Sequence, residues 1–366
     1  MRAQVPARAR EKLNQRVCSI AANGGDCRQV RGMMKRSWYT PQLLGSVLAL
    51  MLLAGASGAE EAETFGCEAN PTGDPIGGGE GYSQIYEGGD YVVSTAEELA
   101  AALASAQPGE VIYVPHGVEI DLTDSETLSI PEGVTLAGSR GRDGSPGALL
   151  HMDEAGRMFV SDGADVRLTG LRFRGHHAGA ERIGTSSYFV SISHWGNEID
   201  NCEVFNFNLA AIGVGTGALN CQIHHNYIHH SQRGGLGYGI SLSSSDVHII
   251  ANIFDYCRHH IASSGSPGAG YEAAWNLVLE NATSHHFDMH GGRDRGDATN
   301  IAGDWMHVHH NTFRSTRRHV AIRGVPSDGA RIHNNWFATE PGKAVSTGGN
   351  TLIYRNVYGP EKTLEE

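Results

Sequence analysis

The stretch "IHHNYI" (Ile223–Ile228) decides the fold, because it recurs. "IDNCEV", "IIANIF", "AAWNLV", "VHHNTF", "IHNNWF" and "IYRNVY" share its shape: an apolar residue, two variable positions, usually Asn, then a short apolar or aromatic run. Their fourth positions are Cys202, Asn226, Asn252, Asn276, Asn311, Asn335 and Asn356, at steps of 24, 26, 24, 35, 24 and 21 residues. A period in this range marks a solenoid, in which each unit buries its apolar face against the next. The runs are short, β-branched or aromatic, and broken by Gly and Asn, so the units are strands and turns. An Asn repeated at one bend can hydrogen-bond to its counterpart in the next coil.

Upstream, "STAEELAAALASAQPGE" (Ser94–Glu110) reads as an N-capped helix stopped by Pro108, placed to cover the open end of the first coil. Residues 60–90 are Gly- and Pro-rich and read as an irregular leader; the solenoid domain spans 91–366. "MMKRSWYTPQLLGSVLALMLLAGASGAEE" (Met33–Glu61) has the basic, apolar, small-residue order of a secretory signal, with an apolar run too short to read first as a span. Residues 1–59 are therefore expected to be an upstream extension plus signal, with translation starting at Met33 or Met34 and the product secreted or periplasmic. They carry nine basic and two acidic residues, so the remainder holds −19 against −12 for the whole chain. Such a surface repels nucleic acid and anionic membranes. With only Lys343 and Lys362 left as lysines, a catalytic lysine is not expected. Cys67, Cys202, Cys221 and Cys257 match no zinc spacing, and one disulfide or buried thiols fit equally.

From "VVSTAEELAAALASAQPGEVIYVPHG…LSIPEGVTLAGS" through the Asn-bearing coils, the chain resembles secreted right-handed parallel β-helix proteins of the pectate-lyase-like group. The resemblance implies an all-β, single-stranded right-handed parallel β-helix with an N-terminal capping helix.

A second strand follows each Asn: "GISLS" (Gly239–Ser243), "HIASSG" (His260–Gly265), "HFDMHG" (His286–Gly291), "HVAIRG" (His319–Gly324) and "AVSTGG" (Ala344–Gly349). Strict alternation puts Phe287 and Met289 inside and sends His286, Asp288 and His290 to solvent. Stacking coils about 4.8 Å apart then makes one outward column of His260, His286 and His319 and another of Ser264, His290 and Arg323, around Asp288. The 35-residue step comes from "GGRDRGDATNIAGDW" (Gly291–Trp305), a loop beside this patch that brings Arg293 and Arg295.

Acid–base work on a uronic-acid polysaccharide suits these residue types. β-Elimination takes the proton at C5 and expels the 4-O-glycosyl group, so it needs a base, a cation for the carboxylate and a proton donor. His290 is the expected base or acid, Asp288 its orienting partner, Arg323 and Arg293 the carboxylate clamps, and His319 and His286 the second acid–base pair. Arg295, Arg318, His260, Tyr271 and Tyr238 are further candidates for binding substrate, the tyrosines as proton donors. His224, His225, His309 and His310 read as turn residues at the ladder bend.

"MHVHHNTFRSTRRHVAIRGVPSDGARIHNNWF" (Met306–Phe337) resembles the pectate-lyase segment in which an arginine is the base, although the arginine order differs here. "FDMHG" resembles the Asp-x-His of β-helix mannuronan C5-epimerases, with Asp288 and His290 in those places. No cofactor is required by this reading, and calcium stays open, with Asp294, Asp297 and Asp304 as its oxygen ligands. A transition metal on the imidazoles is a further option, without any HExxH motif to support it. The expected partner is an acidic polysaccharide met by a monomeric protein. An epimerase, a hydrolase and a non-catalytic glycan-binding solenoid are the alternatives; Asp288 has no evident second carboxyl for inverting hydrolysis.

Overall fold

The computed structural model describes residues 63–365, so the expected upstream extension and signal lie outside the described residues. Successive coils contribute strands to three long sheets, of eleven, eleven and nine strands. Sheet 1 includes Glu198–Asp200, Cys221–His224, Asp246–Ile250, Gly270–Ala274, Trp305–His309 and Gly329–His333. Sheet 2 follows the Asn corner, with Tyr227–Ser231, Ile253–Cys257, Leu277–Val278 and Thr312–Phe313. Sheet 3 holds Tyr188–Ile192, Ala210–Val214, Tyr238–Leu242, His259–Ser263, Phe287–Met289 and Val320–Ile322. Pairing is parallel from coil to coil; the final strand Thr363–Glu365 alone turns back, antiparallel, on Asn356–Tyr358. The fold is a parallel β-helix.

The interior is built of like residues in register. Phe254, Val278, Phe313 and Phe337 stack along sheet 2, and Ile240, Ile261, Phe287 and Val320 along sheet 3. All eight are fully buried. The corner between sheets 1 and 2 explains the repeat. The residue before each ladder position (Asn201, His225, Ala251, Trp275, His310, Asn334, Arg355) sits at φ between 50° and 54°. Left-handed backbone costs a non-glycine residue roughly 1–2 kcal/mol. From Asn226 onward the following asparagine offsets it: its Oδ1 accepts from both the backbone N–H and the side-chain Nδ2 of the preceding coil's asparagine, at 2.9–3.0 Å through to Asn356, and Asn226 accepts from the Cys202 N–H. Each Nδ2 also donates to a sheet 1 carbonyl, as Asn311 does to Ala273 at 2.8 Å.

The capping helix runs over Ala96–Ser105 with Thr95 as N-cap, its side chain accepting from the Glu98 N–H at 3.2 Å. Leu99, Ala102 and Leu103 are buried at the N-terminal end of the coils. The leader runs along the left-handed corners, where Gly66 and Gly77 donate to the carbonyls of Asn334 and Ala251. Cys67, Cys202, Cys221 and Cys257 are free, buried thiols.

Replacing Asn311 with Ala strips the acceptor from the backbone and side chain of Asn276 and leaves buried carbonyls unpaired. At about 1–3 kcal/mol for each orphaned group, the loss is expected to be 3 kcal/mol or more, on the order of a fifth to a half of a domain's stability. A urea midpoint unchanged from the wild type would show that the ladder is decorative.

Candidate active site

The strand Phe287–Met289 lies in sheet 3 between His259–Ser263 and Val320–Ile322, with Asp288 flanked in register by Ala262 and Ala321. Both neighbours are small, so longer side chains from adjoining positions close over the carboxylate. It points to the outer face yet has no exposed surface, which corrects the expectation of a solvated aspartate. Arg323 grips it bidentately, Nε to Oδ1 at 3.1 Å and Nη2 to Oδ2 at 2.8 Å, while its Nη1 reaches Asp294 at 2.8 Å. His290 Nε2 lies 2.9 Å from Oδ2, and the ring is 26% exposed. His285 Nε2 lies 3.2 Å from Oδ1, without the alignment of a hydrogen bond. Burial pushes the Asp288 carboxyl up, but its contacts with His285 and His290 outweigh burial and hold it well below the usual carboxylate range. The result is an ionised carboxylate covered by one guanidinium and imidazoles.

Asp288, His290 and Arg323 thus come together, and the other predicted residues divide. His260, His286 and His319 do form a column, with stacked rings 4.8 and 5.5 Å apart, but it faces inward against Phe254, Phe313 and Phe337. The alternation fails where the chain turns into sheet 3. The His286 carbonyl accepts from both His260 and Ile261 N–H groups, so two successive side chains point inward there. His259 and His285, one residue earlier, take the outward places; their rings lie 4.1 Å apart beside Asp288. Tyr238 stacks on His259 at 5.8 Å and borders the site. Tyr271 is buried in the core, and Asp288 adds to burial in pushing its phenol well above the usual range, so it is not an available donor.

In the insertion, Arg293 is exposed, whereas Arg295 pins the loop through the carbonyls of Ser264, Gly265 and Ile301 and the carboxylate of Asp297. Gly265 sits at φ +62°, and a Cβ there would collide with the His290 carbonyl, so this close approach holds His290 in place. Arg318 is exposed and donates to the Val345 carbonyl at 3.4 Å. Asp294 binds Arg323 and the Gly291 N–H, and Asp297 binds Arg295 and Thr299. With Asp304 they are not among the groups of described residues whose ligand atoms converge within 4.8 Å. Held in these separate contacts, the three aspartates do not fit a calcium site. His259, His285 and Asp288 do converge, but the arginine fork already covers both oxygens of Asp288. A cavity of about 330 Å³ lies between Glu340 and Leu364 and another of about 350 Å³ between Gln232 and Arg317; neither is lined by Asp288 or His290.

No family model matches this chain, and no curated protein sequence does. Among solved structures it is similar to an alginate lyase from Paenibacillus sp. str. FPU-7, with a TM-score of 0.51 and 15% identity over 73% of this chain and 97% of that one. A weaker similarity, TM-score 0.38 and 12% identity over 71% of this chain and 64% of the other, links it to the Dettilon tailspike protein. At this identity the alginate lyase supports the fold.

The inward column has a consequence for pH. Burial lowers His260 and His319 to about 3 and His286 well below its ordinary value. Unfolding exposes all three to protonation near pH 6.5, so the unfolded chain binds more protons below that pH and stability falls as pH drops from about 6.5 toward 3. Each such ring contributes a slope of up to about 1.4 kcal/mol per pH unit. Urea unfolding at pH 7 and pH 5 checks this: His286→Phe is expected to flatten the dependence by about that amount, and an unaltered slope would mean the ring is not buried neutral.

Proposed function

We propose that the chain is a secreted or periplasmic polysaccharide lyase that cleaves a uronic-acid polymer by β-elimination. The observation that carries the reading is the Asp288–His290 pair on the outer face of sheet 3: His290 Nε2 lies 2.9 Å from the carboxylate. In this reading Nε2 carries its proton toward the carboxylate, and Nδ1 is the lone pair that takes the C5 proton. Asp288 then faces the imidazolium formed, and Arg323 keeps the aspartate ionised and oriented. Arg323 is consequently a positioning residue, since its donors are already engaged by Asp288 and Asp294. The exposed Arg293 is the guanidinium free to meet the uronate carboxylate, whose charge grows as the enolate-like intermediate forms. Tyr238, bordering His259, is the candidate donor to the departing 4-oxygen. Tyr188 and Tyr238 lie two coils apart at equivalent positions of sheet 3, a spacing suited to stacking on successive parts of a long chain.

Since a solved protein of this fold is an alginate lyase, alginate is the first polymer to assay, followed by pectate and glucuronan. Turnover is expected to raise absorbance near about 235 nm, from the unsaturated uronate that elimination leaves. Asp288→Asn and His290→Ala are each expected to lower kcat by about 10²–10⁴-fold, and Arg293→Ala to act mainly on KM. New reducing ends without that absorbance would establish hydrolysis instead. Exchange of the C5 proton with solvent deuterium, without chain shortening, would establish epimerisation.

A further inference from the structure

A second cluster of imidazoles lies on the outer face of sheet 1, around Glu272. His248 Nδ1 is 2.7 Å from its Oε2 and His309 Nε2 is 2.9 Å from its Oε1, with His307 Nδ1 3.8 Å from the same oxygen. The ligand atoms of Glu272, His307 and His309 all fall within 4.8 Å of one another. Two other clusters in the described residues show comparable convergence, but each holds an arginine fork: Arg167 on Asp200, at 2.9 Å through both Nε and Nη2, and Arg323 on Asp288. Glu272 has imidazoles as its ion-pair partners and no arginine; Arg331, beside His307 in register, makes no ion pair among the described residues.

The hydrogen bonds leading into this cluster have a fixed direction. Asn334 Nδ2 donates to Glu63 Oε1 at 2.9 Å and to the Thr64 carbonyl at 3.2 Å, so its Oδ1 is the atom facing His333. That oxygen can only accept, so His333 Nδ1 carries a proton and bonds to it at 2.8 Å. In the neutral ring Nε2 of His333 is then a lone pair, and His307 Nε2, 2.8 Å away, must donate to it. His307 Nδ1 is left as a bare lone pair turned toward a carboxylate oxygen. Two acceptors 3.8 Å apart call for a donor or a cation between them. Without an ion, His309 Nε2 donates to Glu272 Oε1 at 2.9 Å; moving that proton to Nδ1, which lies 2.9 Å from His310 Nδ1, frees Nε2 to act as a ligand.

We propose that Glu272, His307 and His309 bind a divalent transition ion of the zinc class. His333 and Asn334 orient His307 from behind, and His248 holds the second oxygen of Glu272. Imidazole nitrogen with one carboxylate is the donor set such ions prefer, and zinc bonds of about 2.0–2.1 Å place ligand atoms about 3.3 Å apart, between the 2.9 Å of His309 to Glu272 and the 3.8 Å of His307 to Glu272. Glu272 belongs to the strand Gly270–Ala274 and the two histidines to Trp305–His309, paired strands separated in sequence by the Gly291–Trp305 insertion. An ion here ties together the coils that flank the insertion.

The test uses the full chain, stripped with a chelator, dialysed, and titrated with zinc by calorimetry, with cobalt as the spectroscopic probe. The expected result is one ion per chain, a cobalt absorption typical of tetrahedral nitrogen and oxygen ligation, and a higher unfolding temperature with zinc. His307→Ala and Glu272→Gln, each shown by circular dichroism to keep the β fold, are expected to abolish all three. His333→Phe is expected to weaken binding about 10–100-fold through loss of the orienting bond, and Asp288→Asn to leave it unchanged. Absence of binding by the wild type, or binding that survives in Glu272→Gln, or binding lost in Asp288→Asn, overturns the assignment.

Discussion

The structure depends on the left-handed corner between sheets 1 and 2. Seven successive corners place a non-glycine residue at φ near 50°, and at six of them the next position is an asparagine whose side chain joins a continuous run of amide hydrogen bonds. A strand can slip by a residue only if that run breaks, so the corner fixes the register of all three sheets. Every functional column is a consequence of that register. Asp288 lies between two alanines, and Glu272 between His248 and His307, because the coils cannot shift past one another.

Around Asp288 the same rigidity makes an unusual charge environment. The chain beyond residue 59 is strongly acidic, yet this face gathers one carboxylate under a guanidinium and several imidazoles. Burying an unpaired carboxylate would be costly; the bidentate arginine removes that cost and keeps the group charged next to His290. The insertion serves this arrangement directly: Asp294 steadies Arg323, and Arg295 binds the loop to the carbonyls of the preceding coil. Preorganisation of Asp288 and His290 here comes from backbone and arginine.

Much of this is legible in the chain itself. The asparagine spacing reveals the coils, and alternation within Phe287–Met289 correctly turns Asp288 away from the core. Extending that alternation back through the turn into sheet 3 is what misplaces His260, His286 and His319. The doublets His259–His260 and His285–His286 carry the missing signal: at each, one ring lies on the outer face and its neighbour in the core. Local spacing cannot say which, because the extra inward residue depends on a carbonyl shared between coils. The sheet 1 cluster was readable once the ladder set the register, since His248, Glu272, His307 and Arg331 each stand four residues before a ladder asparagine. Reading His309 and His310 only as turn residues hides it. The engagement of Arg323 by Asp288 and Asp294 depends on the folded insertion, which has no repeat from which to read it.

The central claim is that Asp288 and His290 form a proton-transfer centre for elimination. Proton NMR of a uronate polymer incubated with the protein in deuterated buffer addresses it most directly. Growth of an olefinic H4 signal in step with loss of the C5 proton, absent for Asp288→Asn, is the result expected. Saturated products alone, or an Asp288→Asn variant as active as the wild type, would contradict the account.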